Sequence, residues 1–304
     1  MKDTVNQPEA ECLFEREPQP GTGGSTHMTI LTRVVNRVLG YHSSRDFARH
    51  RGSEVLLFHD SGFFSNCSVL LMSLARAQQH PAKIDVSRSF THFTDEGKAF
   101  RWEDFFSPPN PLTDGQQSDW QKSRVAKRLP HHSTYRWLDF RTTNQILQTY
   151  FQLSDAVHAR AEEIKETHLP VPLDEIAVVC LRGTDKSTEV RQSSVDRYVS
   201  RAQRIMKKQK NHRVWVQTDQ VQIRDLLLSR IGPRAFALDV LPVTAGSSVI
   251  HKSENLHSRF DFTTNLLATT WLMSQAHTVI TYTGNVGYWI ALLRGHTGRL
   301  HQLR

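Results

Sequence analysis

Cysteine is scarce in this sequence: Cys12, Cys67 and Cys180 are the only three among 304 residues. An odd number at wide, unpatterned spacing supplies neither a disulfide framework nor a zinc-ligand set, and a reducing compartment suits it best. Long apolar runs are missing as well. No stretch approaches the roughly 20 apolar residues of a membrane span, and the first residues lack the basic-then-apolar order of a secretion signal. The expected location is therefore cytoplasmic, with no transmembrane segment. Basic clusters are also wanting. The formal charge of +8 favours anionic partners, yet Lys and Arg are spread out, and only Met206-Lys207-Lys208-Gln209-Lys210 forms a short run, at the end of a helix. Trp and Phe are not interleaved with them as stacking platforms would be, so no specific nucleic-acid partner is expected.

Hydrophobic residues at 38% and charged residues at 22% mark a folded globular chain, long enough for two domains of ordinary size. Residues 1–27 carry Glu, Pro and the run Gly21-Thr22-Gly23-Gly24-Ser25, and they read as a flexible tail. Met28 opens a helix with Ile30, Leu31, Val34, Val35 and Val38 on one face. Packing is the favoured role of that helix, with peripheral membrane contact as the lesser alternative. Residues 55–58 read as a buried strand, then Asp60-Ser61-Gly62-Phe63-Phe64-Ser65-Asn66 as a polar turn, then 67–78 as a helix. Such a turn either docks an anion or sugar hydroxyl on its N–H groups or merely connects. Residues 107–134 read as a long loop or lid, and 143–167 as one amphipathic helix broken by Leu169-Pro170-Val171-Pro172. The boundary falls there, giving an amino-terminal α/β domain over 28–170 and a second domain over 171–304.

Past the boundary, strand and helix alternate. Strands are expected at 176–181, 213–218, 236–241 and 278–282, with helices at 195–206, 221–230, 263–275 and 288–294, and Ser193 as a cap. Regular alternation predicts a doubly wound parallel sheet, whose ligands lie at the carboxyl ends of its strands. Three strand ends are polar: Arg182 to Glu189, Thr218-Asp219-Gln220, and Thr283-Gly284-Asn285.

Arg182 emerges from a buried strand, where its planar fork suits a diphosphate, unless it simply pairs with Asp185. Lys186 adds charge beside it. Thr283-Gly284-Asn285 precedes a helix, so its N–H groups and the positive helix end could cradle the same phosphates. Asp219 either contacts a ribose or base or caps the following helix. Tyr198 lies on an apolar stripe, where packing is the default. Growing negative charge on a departing diphosphate would be stabilised here without a metal, and no Asp-X-Asp pair occurs in the chain.

These same residues carry a family likeness. Leu181-Arg182-Gly183-Thr184-Asp185-Lys186-Ser187-Thr188-Glu189 resembles the Val-Arg-Arg-Thr-Asp-Lys-X-Gly-Thr-Glu segment of the GDP-fucose-dependent core α1,6-fucosyltransferases. Val216-Gln217-Thr218-Asp219 is similar to their Leu-Ala-Thr-Asp, Trp271-Leu272-Met273-Ser274-Gln275-Ala276 to Phe-Leu-Ser-Gln-Ala, and Thr283-Gly284-Asn285 takes the place of Ser-Ser-Gln. The rhizobial nodulation fucosyltransferases share this outline, which spans about residues 175–295.

The resemblance implies a GT-B-like α/β fold of two Rossmann-like domains, with the donor site in the carboxyl-terminal one. It further implies a GDP-fucose donor, a glycan acceptor, and inverting transfer with neither metal nor cofactor. Arg182 would hold the β-phosphate, Lys186 would support the site, and Glu189 would take the proton of the attacking hydroxyl. Tyr198, Asp219, Thr283, Gly284 and Asn285 would hold the donor. A transferase of the same fold using another nucleotide sugar, and a non-catalytic basic binding protein, stand as alternatives.

Overall fold

A computed structural model describes residues 47–77, 81–110, 134–183, 193–245, 250 and 256–304, all within the compact unit Gly40–Arg304. The expected tail, the helix opened by Met28, most of the 107–134 loop, Lys186 and Glu189 lie outside the described residues.

Three short strands come first: β1 (Ala48–Arg51), β2 (Glu54–Leu57) and β3 (Lys83–Asp85). They lie in that order, β1 antiparallel to β2 and β3 parallel to it. The crossover from β2 to β3 contains α1 (Phe63–Leu74), in which every residue but Ser65 is buried. A helix covered all round belongs inside a core. That core is largely aromatic: Phe63 packs edge-on to Phe90 and Phe93, Phe90 stacks on Phe100 at 4.4 Å, and Trp102 stacks on Phe106 at 4.2 Å. The helix begins four residues before the expected start at 67, because Gly62 takes the extended N-cap conformation and Asn66 Oδ1 accepts the Ser61 N–H at 2.9 Å. Ser65 and Asn66 therefore sit in the first helical turns rather than in a preceding loop.

The single helix expected over 143–167 is two helices, α2 (Phe140–Tyr150) and α3 (Asp155–His168). Between them Phe151 and Leu153 turn into the core, Leu153 bridges to Phe106, and Ser154 Oγ caps α3 by accepting the Val157 N–H at 3.4 Å. Capping from Ser154 satisfies a helix start that continuous periodicity conceals.

The second sheet has five parallel strands in the order β6-β5-β4-β7-β8: β4 (Ile176–Cys180), β5 (Arg213–Gln217), β6 (Ala235–Phe236), β7 (Thr278–Tyr282) and β8 (Leu300–Leu303). All residues of β4 and β7 are buried, as central parallel strands covered on both faces must be. Around the sheet run α4 (Val195–Lys208), α5 (Val221–Ile231), α6 (Arg259–Gln275) and α7 (Asn285–Arg294). The stripe Val195, Tyr198, Val199, Ala202, Met206 turns α4 onto β4 and β7, and α3 lies along α6. The chain is thus a mixed α/β protein, as its alternation predicts.

Several bounds differ from expectation. Strand β6 keeps only Phe236 of the expected 236–241, with Ala235 before it, since the chain turns away at Asp239–Val240. Ser194 rather than Ser193 precedes α4, and Ser193 Oγ instead donates to Arg304 O at 2.6 Å. Helix α7 starts at Asn285, inside the expected turn, and closes on Gly295 at φ 72, a left-handed cap that suits glycine. Arg294 ties the end of α6 down, donating to Ser274 O at 2.7 Å, Ala276 O at 2.6 Å and His277 O at 3.1 Å.

Candidate functional site

Strand order reverses direction between β4 and β7, so a crevice opens at their carboxyl ends. Residues expected to matter cluster there. Leu181 continues the β4 pairing by donating its N–H to Gln217 O at 3.0 Å, which delivers Arg182 and Gly183 beside the end of β5. Asp219 meets both. Its Oδ2 lies 3.3 Å from Arg182 Nε, and its Oδ1 accepts the Gly183 N–H at 2.7 Å. The two charged side chains are only 22% and 19% exposed, so the pair is shielded enough to be directional. Backbone bonds hold Asp219 in turn, because its carbonyl accepts from Thr244 N at 2.9 Å.

Arg182 forms an ion pair with Asp219, contributed by a different strand, while Asp185, the partner expected from the sequence, lies outside the described residues. Asp219 does not cap α5, whose N-cap is Gln220 without a side-chain cap bond. Closeness at this junction also explains Gly183: a Cβ there would stand 2.4 Å from Ile223 Cδ1 and 2.5 Å from Gln220 Oε1.

At the end of β7, Thr283 Oγ1 accepts from Gln302 Nε2 at 2.9 Å, and Gln302 Oε1 accepts the Tyr135 N–H at 2.9 Å. The Tyr135 hydroxyl accepts the Gly284 N–H at 3.1 Å and lies 2.9 Å from Tyr282 O and 3.0 Å from Gly284 O, to one of which it donates. Burial pushes the Tyr135 phenol well above its ordinary range, with the bond to Gly284 opposing, so it works as a neutral hydroxyl. Asn285, the first residue of α7, accepts from Ser68 Oγ at 3.2 Å through Oδ1, which joins this turn to α1.

One cavity collects Arg182, Thr218, Asp219, Asn285 and Val286 with Cys180 and Leu181. Gly62 and the first helical turn of α1, Phe63–Ser65, form another wall, as do Phe93 and the α6 face Phe262, Leu266, Thr270 and Met273. Its volume of about 150 Å³ is below the ~300–1,000 Å³ of whole-ligand sites, so it accounts for one portion of a ligand. Thr283 and Gly284 do not line it; they shape the turn that presents Asn285. Tyr198 is fully buried in the α4 stripe and does not line it either. Its placement corresponds to the packing role, not to a donor contact.

Burial raises the Cys180 thiol to about 12, so it enters the cavity protonated and uncharged. Sequence reasoning did not single out His59, whose Nε2 is 2.9 Å from Oγ of the cavity-lining Ser65. Burial pulls the His59 imidazole below its ordinary range, with Asp60 opposing, which favours the neutral ring at neutral pH. Its signal was its place right after β2, the same strand-end rule applied to the smaller sheet. Among the described residues no group of three or more His, Cys, Asp or Glu side chains is arranged to hold a metal, and no helix is long and apolar enough to cross a membrane.

Neither a protein-family model nor a curated protein sequence matches the chain. Among solved structures it is similar to the NodZ α1,6-fucosyltransferase soaked with GDP-fucose, at TM-score 0.47 and 13% identity over 77% of this chain and 90% of that one. The same enzyme co-crystallised with GDP gives 0.45 and 16% over 74% and 86%. NodZ from Bradyrhizobium gives 0.44 and 13% over the same shares.

Proposed function

We propose that this chain is an inverting, metal-independent glycosyltransferase that takes fucose from GDP-fucose to a glycan hydroxyl. The observation that carries the reading is the meeting of Arg182 and the amino terminus of α7 in one cavity at the switch point of a parallel sheet. A guanidinium and a helix amino terminus facing one space favour negative charge there, and departure of a nucleoside diphosphate creates it. Asp219 holds Arg182 in orientation through Nε. In the proposed reaction the acceptor oxygen attacks the anomeric carbon from the face opposite the diphosphate, the bond to the β-phosphate oxygen breaks, and the electron pair leaves with GDP. Glu189 takes the acceptor proton and Lys186 supports the departing phosphate; these two roles rest on the sequence resemblance. In this reading the cavity takes one portion of the donor, its diphosphate end, with Asn285 beside it.

A second reading, the same reaction with another nucleotide sugar, is favoured by the lining around Cys180. The position offers a neutral thiol, so a base held beside it is not read by a charged group there.

Release of GDP from GDP-fucose with a panel of glycan acceptors, in the presence of a chelator, tests the first reading. UDP- and ADP-sugars run in parallel test the second. Arg182→Ala should lower kcat/KM by a factor on the order of 10² or more. Absence of turnover with every donor, together with no thermal shift from GDP, UDP or ADP, would remove the assignment.

A further inference from the structure

A second opening lies on another side of α6. Thr270 faces the cavity described above, while Trp271, its neighbour and about 100° further around the helix, lines a cleft bounded by α2, α3 and α7. That cleft measures about 580 Å³, within the ~300–1,000 Å³ of small-molecule sites. Its floor is apolar, formed by Leu147, Phe151 and Leu292, and its rim carries Asn144, Gln148, Gln152 and Asp155.

The chemistry of the lining is selective. Although the chain is strongly basic, no Lys or Arg among the described residues lines this cleft, whose polar groups there are mostly uncharged amides. Each carboxamide offers both a donor and an acceptor, the combination that a hydroxyl group can satisfy from either side. Trp271 is partly exposed, and His158 stands edge-on to it with ring centroids 5.2 Å apart, which limits rotation of the indole. A flat apolar ring beside several amides matches a pyranose, whose C–H face is apolar and whose edge is a row of hydroxyls. Asn144 is steadied by the close of α7, its Nδ2 reaching Gly295 O at 3.5 Å.

We propose that this cleft, lined by Trp271, Asn144, Gln148, Gln152 and Asp155, is a binding site for an uncharged oligosaccharide. The site is separate from the cavity at Arg182 and does not rest on the donor reading. Along α7, Val286 belongs to one opening and Leu292 to the other, roughly 9 Å apart at 1.5 Å per residue.

Calorimetry and saturation-transfer NMR with cellotriose, maltotriose and N-acetyllactosamine test it on the whole protein, with a heparin tetrasaccharide as the charged comparison. At least one neutral sugar should bind, and Trp271→Ala or Gln148→Ala with Gln152→Ala should weaken it about tenfold or more, a change of roughly 1.4 kcal/mol. Trp271→Phe should retain most of the affinity, and Arg182→Ala should leave it unchanged. The two Gln positions are exposed, so that variant reports on binding without a folding defect. Failure of all three neutral sugars to bind, preference for the heparin fragment, indifference to both cleft variants, or loss in Arg182→Ala would each overturn the proposal.

Discussion

Asp219 reaches from the end of β5 to Arg182 at the end of β4, Oδ2 to Nε 3.3 Å, while its other oxygen holds the Gly183 N–H at 2.7 Å. One carboxylate thus fixes both the direction of the guanidinium and the path of the backbone that carries it. Asp219→Ala leaves a shielded guanidinium and a backbone donor without this partner, at a cost of about 2–4 kcal/mol. A melting temperature lower by roughly 5–12 °C is expected by thermal unfolding. Asp219→Asn keeps an acceptor for Gly183, so its loss should appear mainly in kcat/KM or nucleotide affinity and much less in melting.

Tyr135→Phe removes one hydroxyl that serves the Gly284 N–H and the carbonyl side of the same turn. The buried backbone groups left behind imply a loss of about 1–3 kcal/mol in chemical denaturation. Because the turn opens α7 and presents Asn285, binding of the nucleotide, measured by thermal shift, should weaken in the same variant. An unchanged shift would separate the turn from the ligand.

Gly183→Ala tests the close approach of β4 and α5. Its methyl carbon would meet Ile223 Cδ1 at 2.4 Å, and overpacking of this kind costs about 1–3 kcal/mol. The Gly183→Ala, Ile223→Val double variant removes that methyl group from Ile223, so the two changes should be non-additive, with part of the stability restored. Additive losses in denaturation would show that the contact is not what requires glycine.

Acid should destabilise the fold through two packed imidazoles, one buried and one half-buried. Burial pulls both His212 and His277 below the ordinary histidine range, and their rings lie 4.4 Å apart. His212 Nε2 has no hydrogen-bond partner among the described residues. With folded values depressed, the unfolded chain binds more protons, so their stabilising contribution is full above about pH 6.5 and is lost as pH falls through that value. Melting temperature should fall between pH 7 and pH 5. The His212→Gln, His277→Gln double variant should show a flatter profile over the same window.

The parallel sheet was legible because its central strands are short runs rich in β-branched residues, the wholly apolar Ile176–Cys180 and Thr278–Tyr282, ending in polar turns. Polar strand ends also located the cavity, since the switch-point rule depends only on strand direction and order. That Asp219 meets Arg182 was not legible, because Asp219 arrives from the neighbouring strand and register across a sheet is tertiary information. The cavity wall from α6 could not be told from the other faces of that helix, which is buried against neighbours on more than one side. Tyr135 follows a polar, aperiodic stretch, and nothing local indicates that its hydroxyl reaches the β7 turn. The break between α2 and α3 was hidden by apolar residues that continue the helical spacing across it, although Ser154-Asp155 carried the cap.

Gln302 on the edge strand β8 grips Tyr135 and Thr283 with opposite ends of one amide, and those two residues frame the start of α7. The outermost strand therefore shares a mechanical connection with the innermost part of the cavity. A ligand that draws on the amino terminus of α7 will tighten β8, and slowed amide exchange at the rim of the sheet becomes a gauge of occupancy at its centre.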